Sequence, residues 1–141
     1  GLTYADFEYD GIAVDQVQIG TDGQVTLSVT VRNTGAVDAT EVVQVYLSDD
    51  VAQVVRPVRE LVGYLRVPVP ARASRRASFV VHAERTSFTG LSGERIVEPG
   101  WFTLAVGRSC EDIRLTARIE VTGEVRTLSG PRVMTTPASS R

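Results

Sequence analysis

A chain of 141 residues, 43% hydrophobic and 23% charged, has enough apolar material for one buried core, and those proportions exclude wholesale disorder. Fifteen basic side chains against 17 acidic ones leave a net charge of −2, without the basic excess of a nucleic-acid binder. No apolar run approaches the roughly 20 residues of a membrane helix, and a single cysteine, Cys110, excludes an internal disulfide.

The chain begins Gly1-Leu2-Thr3-Tyr4 rather than with Met, as expected of a processed chain or of a domain separated at its boundary. It shows no basic-then-apolar leader pattern, and the compartment stays open. Thr3 to Ile19 mixes apolar and acidic residues and is predicted to hold an extended lead-in and a first strand near Ile12–Ile19. Thr21-Asp22-Gly23 is a hairpin-type turn. Gln24 to Arg32 then alternates without a break: Val25, Leu27, Val29 and Val31 fall on one face, Thr26, Ser28, Thr30 and Arg32 on the other. Side chains switch faces at every strand residue, so this pattern predicts a half-buried strand. Asn33-Thr34-Gly35 supplies turn residues, and Glu41 to Leu47 resumes the strand pattern.

Ser48 to Pro57 is predicted as a long irregular loop, with Pro57 unable to donate to a sheet ladder. Glu60 to Val67 returns to strand and Pro68-Val69-Pro70 ends it. Arg75 to His82 alternates again, with Ala77, Phe79 and Val81 on one face and Arg76, Ser78 and His82 on the other. Ala83 to Phe88 suits one short helical turn, and Glu94 to Glu98 a short strand. Pro99-Gly100 is a turn. Trp101 to Val106 follows with Phe102, Leu104 and Val106 inward and Trp101 covering an edge of the core. Ile113 to Val121 closes the pattern. About seven short strands between Gly- and Pro-bearing turns predict an all-β, immunoglobulin- or fibronectin-III-like two-sheet β-sandwich over residues 1–121. Residues 122–141 lose the apolar alternation and are expected to form a flexible C-terminal tail.

The chemistry-bearing residues are few. Nucleophilic catalysis requires a nucleophile with a base in reach. The one histidine, His82, is expected on the outward face of its strand as a surface residue, and Cys110 as a bystander thiol in the turn Ser109 to Asp112. One His and one Cys cannot fill a zinc site. Asp22-Gly23 and Asp49-Asp50 are short acidic turns without the ligand ladder of a calcium loop. No metal and no cofactor is expected. Glu60, after an unusually apolar loop, is the carboxylate to inspect, with an ion pair to Arg56 or Arg59 as the plainer role. The loop cluster Val51, Val54, Val55, Pro57 and Val58 has two readings: contact with another surface, or folding back over the sheet edge.

Several stretches resemble the fibronectin type III-like domain at the C-terminal end of family 3 glycoside hydrolases. They are Gly1 to Tyr9, Val29-Thr30-Val31-Arg32-Asn33-Thr34-Gly35, Glu41 to Asp49, Arg56-Pro57-Val58-Arg59-Glu60-Leu61-Val62-Gly63-Tyr64, Val97 to Phe102, and Val106 to Ser109 with Asp112-Ile113. The resemblance implies a non-catalytic accessory module of a larger β-glucosidase or β-xylosidase, whose catalytic residues lie on a barrel and an α/β domain with no counterpart here. It also implies that the module packs against those catalytic domains as its partners. The docking segment it suggests comprises Val54, Val55, Arg56, Pro57, Arg59, Glu60 and Leu61. The alternative is a free-standing sandwich that binds carbohydrate or protein, for which Tyr46, Tyr64 and Trp101 are the candidate stacking residues. Neither reading involves nucleic acid or a membrane.

Overall fold

The computed structural model describes residues 6–50 and 59–141. In chain order the strands are β1 (Phe7–Val14), β2 (Gln18–Gly20), β3 (Gln24–Asn33), β4 (Ala39–Asp49), β5 (Glu60–Val69) and β6 (Ser74–His82). A 3₁₀ turn (Ala83–Thr86) follows, then β7 (Phe88–Thr89), β8 (Arg95–Val97), β9 (Gly100–Ser109), β10 (Asp112–Thr122), β11 (Arg126–Leu128) and β12 (Ala138–Ser140). One sheet has the order β1-β3-β6-β12, a second β2-β10-β9-β4-β5, and a small third sheet β11-β8-β7. The fold is an all-β sandwich. The strand number expected from sequence matches the seven long strands, β1, β3, β4, β5, β6, β9 and β10, of 8 to 11 residues each.

Alternation builds the core directly. Val25, Leu27, Val29 and Val31 of β3 are fully buried, as are Val43 and Val45 of β4, Ala77 and Phe79 of β6, and Leu104 and Val106 of β9. Burying the four β3 side chains alone contributes on the order of 6–12 kcal/mol before the cost of ordering the chain. Register is fixed by this face choice, because a one-residue slip would send every valine of β3 to the solvent side.

The first strand lies earlier than the sequence suggested. β1 occupies Phe7–Val14, and the Ile12–Ile19 stretch is divided between the end of β1 and β2. An irregularity between Asp10 and Ala13, where Gly11 adopts φ +63° and the pairing with β3 shifts, interrupts the alternation within β1. Alternation upstream of the bulge buries Phe7 and Tyr9, so the strand is already formed before Ile12.

Between the sheets near β1, Arg108 Nε reaches the buried Glu41 carboxylate at 3.0 Å. The Arg108 guanidinium also lies over the Phe7 ring and that of Arg114 over Tyr9, each at 5.6 Å. Burial, then the Glu41 charge, push the Tyr9 hydroxyl pKa up.

The sandwich does not end at residue 121. Residues 122–141, expected as a flexible tail, form β11 against β8 and β12 against β6. Arg141 exchanges backbone hydrogen bonds with Arg76 beyond the end of β12. The segment attaches mainly through backbone pairing and arginine contacts, with isolated apolar contacts from Leu128 and Ala138, so hydrophobic periodicity carries little trace of it.

Candidate functional site

Of the docking residues expected from sequence, Val54, Val55, Arg56 and Pro57 lie outside the described residues, as do Val51 and Val58 of the apolar loop cluster. Arg59 precedes β5, and Glu60 and Leu61 begin it. Leu61 is paired with Tyr46 on β4, across an irregularity at Val45/Tyr46. Leu61 is 46% exposed and Tyr64 64% exposed, on a strand whose inward residues Val67 and Val69 are fully covered. These two side chains share a recess of about 350 Å³ with Arg85, Met134 and Thr136. Met134 is itself exposed and comes from the C-terminal segment.

A second recess, of about 290 Å³, adjoins the same end of the sandwich. Phe88, Trp101 and Phe102 supply its apolar walls and Asp49, Asp50 and Glu98 its carboxylates. Asp49 and Phe88 also line a third hollow together with Glu60. The exposed Leu61, Tyr64, Phe88, Trp101 and Met134 therefore border a chain of recesses around the start of β5. Exposed apolar patches are a common feature of surfaces that contact other molecules.

The strand ends hold this surface rigidly. The Asp50 N–H donates to the Trp101 carbonyl at 3.0 Å. The two Asp50 carboxylate oxygens accept from the Thr103 hydroxyl and from Arg118 Nε, both at 2.7 Å. Arg118 in turn lies over the Trp101 ring, 4.6 Å from its centroid. Trp101 is thus 37% exposed and stacked under a cation, rather than closing an edge of the core. Burial, and then the neighbouring Asp50 and Glu98 charges, raise the Asp49 pKa.

His82 is not the surface residue expected from sequence. Its side chain is mostly covered, at 16% exposure. It ends β6, where Nδ1 accepts the Glu84 backbone N–H at 3.0 Å and caps the 3₁₀ turn. Nε2 faces the Asp22 carboxylate at 3.3 Å. Asp22, His82 and Glu84 bring ligand-type atoms within 4.8 Å of one another. A guanidinium already serves this cluster: Arg126 Nη2 stands 2.9 Å from Glu84 and 3.4 Å from Asp22. The positive charge a metal would bring is supplied by the chain, so the arrangement reads as a fold clamp. Cys110 is exposed in the turn between β9 and β10. Both ring nitrogens of the one histidine are engaged elsewhere.

Of the residues around these recesses, Glu60, Leu61, Tyr64 and Trp101 were named from sequence, while Phe88, Met134 and the stacking of Arg118 on Trp101 were not. Phe88 is on β7, Trp101 on β9, Arg118 on β10 and Met134 between β11 and β12, and nothing in the spacing announces that they meet.

Residues 41–110 match the family model for the fibronectin type III-like domain. The chain is 38% identical over 117 residues to a putative beta-xylosidase of Formosa agariphila, covering 83% of this chain and 16% of that protein. It is 32% identical to a beta-glucosidase of Bacteroides ovatus, covering 85% of this chain and 16% of the relative. Among solved structures, the beta-glucosidase of Listeria innocua in complex with isofagomine superposes with a TM-score of 0.76 at 31% identity, over 88% of this chain and 17% of that one. The chain therefore spans about a sixth of the length of the relatives it matches.

Proposed function

The chain belongs to the fibronectin type III-like domains of family 3 β-glucosidases and β-xylosidases, and from that membership we propose that it is a non-catalytic accessory module of a larger glycosidase that hydrolyses O-glycosidic bonds. In this reading the module packs against the catalytic domains of its parent through the surface around Arg59, Glu60 and Leu61. The observation that carries the reading is proportion: each relative has most of its length outside the matched region, 84% of the Formosa protein by difference from the 16% covered. The exposed Leu61, Tyr64, Phe88 and Trp101 give such packing an apolar centre, with Asp49, Glu60 and Glu98 as a polar rim.

The test compares the parent reading frame with and without this module. Loss of the module is expected to lower the melting temperature of the catalytic body and its turnover of nitrophenyl glycosides, while the chain alone gives no turnover. Turnover by the isolated chain that a carboxylate substitution abolishes would overturn the proposal. So would a catalytic body indifferent to the module.

A second reading, carbohydrate binding by the sandwich itself, is favoured by one observation. The partly exposed Trp101 lines a recess with Asp49 and Glu98, a combination of aromatic side chain and hydroxyl acceptors suited to a sugar. Trp101 is the single tryptophan, so its fluorescence reports any such binding during titration with oligosaccharides.

A further inference from the structure

The outer edge of β6 is covered by the chain's own C-terminus. The Val80 N–H donates to the Pro137 carbonyl at 2.9 Å, β12 pairs Ala138, Ser139 and Ser140 with Phe79, Ser78 and Ala77, and Arg76 and Arg141 exchange both backbone bonds at 2.8 and 3.0 Å. On the other side β6 pairs with β3 along its whole length, so residues 137–141 are its outer partner. Edge strands left bare are templates for pairing with another chain.

Beyond these backbone bonds, two neighbouring side chains fasten the cover, Glu84 foremost. Glu84 Oε2 accepts from Arg126 Nη2 at 2.9 Å, and its Oε1 accepts the Val133 N–H, also at 2.9 Å. Arg126 further donates to the Thr21 carbonyl at 2.9 and 3.1 Å. Arg85 adds a second fastening, donating to the Met134 carbonyl at 2.6 Å and to the Val62 carbonyl at 3.1 Å. Glu84 thus grips the C-terminal segment at two points, ahead of β12 and on both sides of Gly130-Pro131.

We propose that residues 129–141 are a releasable cover for the β6 edge, latched by Glu84, and that in acid the uncovered edge pairs with the same edge of a second copy of this chain. The partner follows from register. Arg76 and Val80 direct their N–H groups to this edge. A two-fold pairing centred on Ser78 would set Arg76 against Val80 and Ala77 against Phe79. No arginine would face an arginine, and both copies would use the same surface.

The charged groups around the latch act together. Arg126 reaches it from β11, Asp22 from the turn between β2 and β3, His82 from the end of β6, and Arg85 is its neighbour on the 3₁₀ turn. Hydrogen bonds from Arg126 and then Val133 hold the Glu84 carboxyl below the usual glutamate range. Its grip is complete above that range and is lost as pH falls through the lowered value. Protonating Glu84 removes the carboxylate charge that Arg126 Nη2 meets at 2.9 Å.

The experiment uses the whole chain, with amide exchange and sedimentation velocity at pH 7 and pH 3. Glu84→Gln imitates the protonated latch at neutral pH. Exchange at Arg76 and Val80 is expected to quicken about 10- to 100-fold in this variant, the range for losing a charge-assisted bond, with Leu27 and Val29 unchanged and a concentration-dependent dimer appearing. Val80→Pro added to Glu84→Gln removes an edge N–H on the side away from β3 and is expected to restore the monomer. Unchanged protection in Glu84→Gln would overturn the latch. Faster exchange in a chain that stays monomeric at both pH values would overturn the pairing of copies.

Discussion

Asn33 offers the sharpest test of how this sandwich is held. It ends β3, is fully buried, and its side chain makes three hydrogen bonds. Nδ2 donates to the carbonyls of Val37 at 2.8 Å and Val69 at 3.0 Å, and Oδ1 accepts the Gly35 N–H at 2.9 Å. One amide thereby ties the turn after β3 to the end of β5 in the opposite sheet. Asn33→Ala removes all three bonds and leaves the buried Val69 carbonyl without this donor, while the backbone bond from the Asn33 N–H to Ala73 survives. At about 1 kcal/mol per neutral bond, with a further penalty for a stranded buried carbonyl, the loss is about 2–4 kcal/mol. For a domain of this size that is a fall in Tm of about 6–15 °C. Asn33→Asp, nearly the same shape, turns both donors into an acceptor facing two carbonyls. It is expected to cost at least as much at neutral pH. Urea denaturation followed by Trp101 fluorescence and by far-ultraviolet circular dichroism measures both. An alanine variant within about 1 kcal/mol of the parent, or an aspartate variant as stable as it, would refute this account of the turn.

Gly107→Ala should be severe for a different reason. A Cβ there would stand 2.1 Å from the Asp112 carbonyl oxygen and 2.8 Å from the Ile113 Cα, both backbone atoms at the β9–β10 irregularity. A loss above about 2 kcal/mol is expected in thermal melts, and a neutral result would mean that the hairpin relaxes freely. In acid the sign is set by Glu84 and Asp112, both held low, the first by Arg126 and the second by Arg114. The unfolded chain binds their protons more readily, so the stability they contribute is full above the ordinary carboxylate range and lost as pH falls through their lower folded values. Urea midpoints between pH 6 and pH 2.5 should show this fall, with a shallower slope in Glu84→Gln. Leu61→Asp alters a half-exposed side chain, and the isolated chain should keep its stability within about 1 kcal/mol. The same substitution should weaken association with the catalytic body of the parent, measured by calorimetry, and equal affinity would remove Leu61 from the docking surface.

The long strands were legible because each has one dry face. The run Val25-Thr26-Leu27-Ser28-Val29-Thr30-Val31 can satisfy its burial in only one register, so composition and order together specify the strand. Asn33 was legible only as a turn former. Its burial and its bond to Val69, 36 positions away, depend on how two sheets meet and have no local signature. Gly11 illustrates the opposite failure. The bulge there breaks the alternation inside β1, so a strand that starts at Phe7 was placed later, at the stretch whose apolar residues suggested one. Around the recesses at the start of β5, Glu60 and Leu61 were singled out through the resemblance of their segment. Phe88, Trp101 and Met134 join them only through folding.

Residues 122–141 show what periodicity is blind to. A segment that buries little apolar surface can still be ordered if its backbone groups and a few guanidinium contacts replace water bonds at partners already fixed by the core. Arg126 on Thr21 and Glu84, Arg85 on Met134 and Val62, and β12 on β6 are contacts of this kind. Each is individually weaker than a buried leucine, and each involves a group that water could serve instead. In the proposed latch the hold on this segment weakens when Glu84 loses its charge, whereas β3 is held by the burial of Val25, Leu27, Val29 and Val31. The two halves of the sandwich's stability should separate experimentally. Mild acid should first expose the amides of Arg76 and Val80, while Leu27 and Val29 stay protected until the whole domain unfolds.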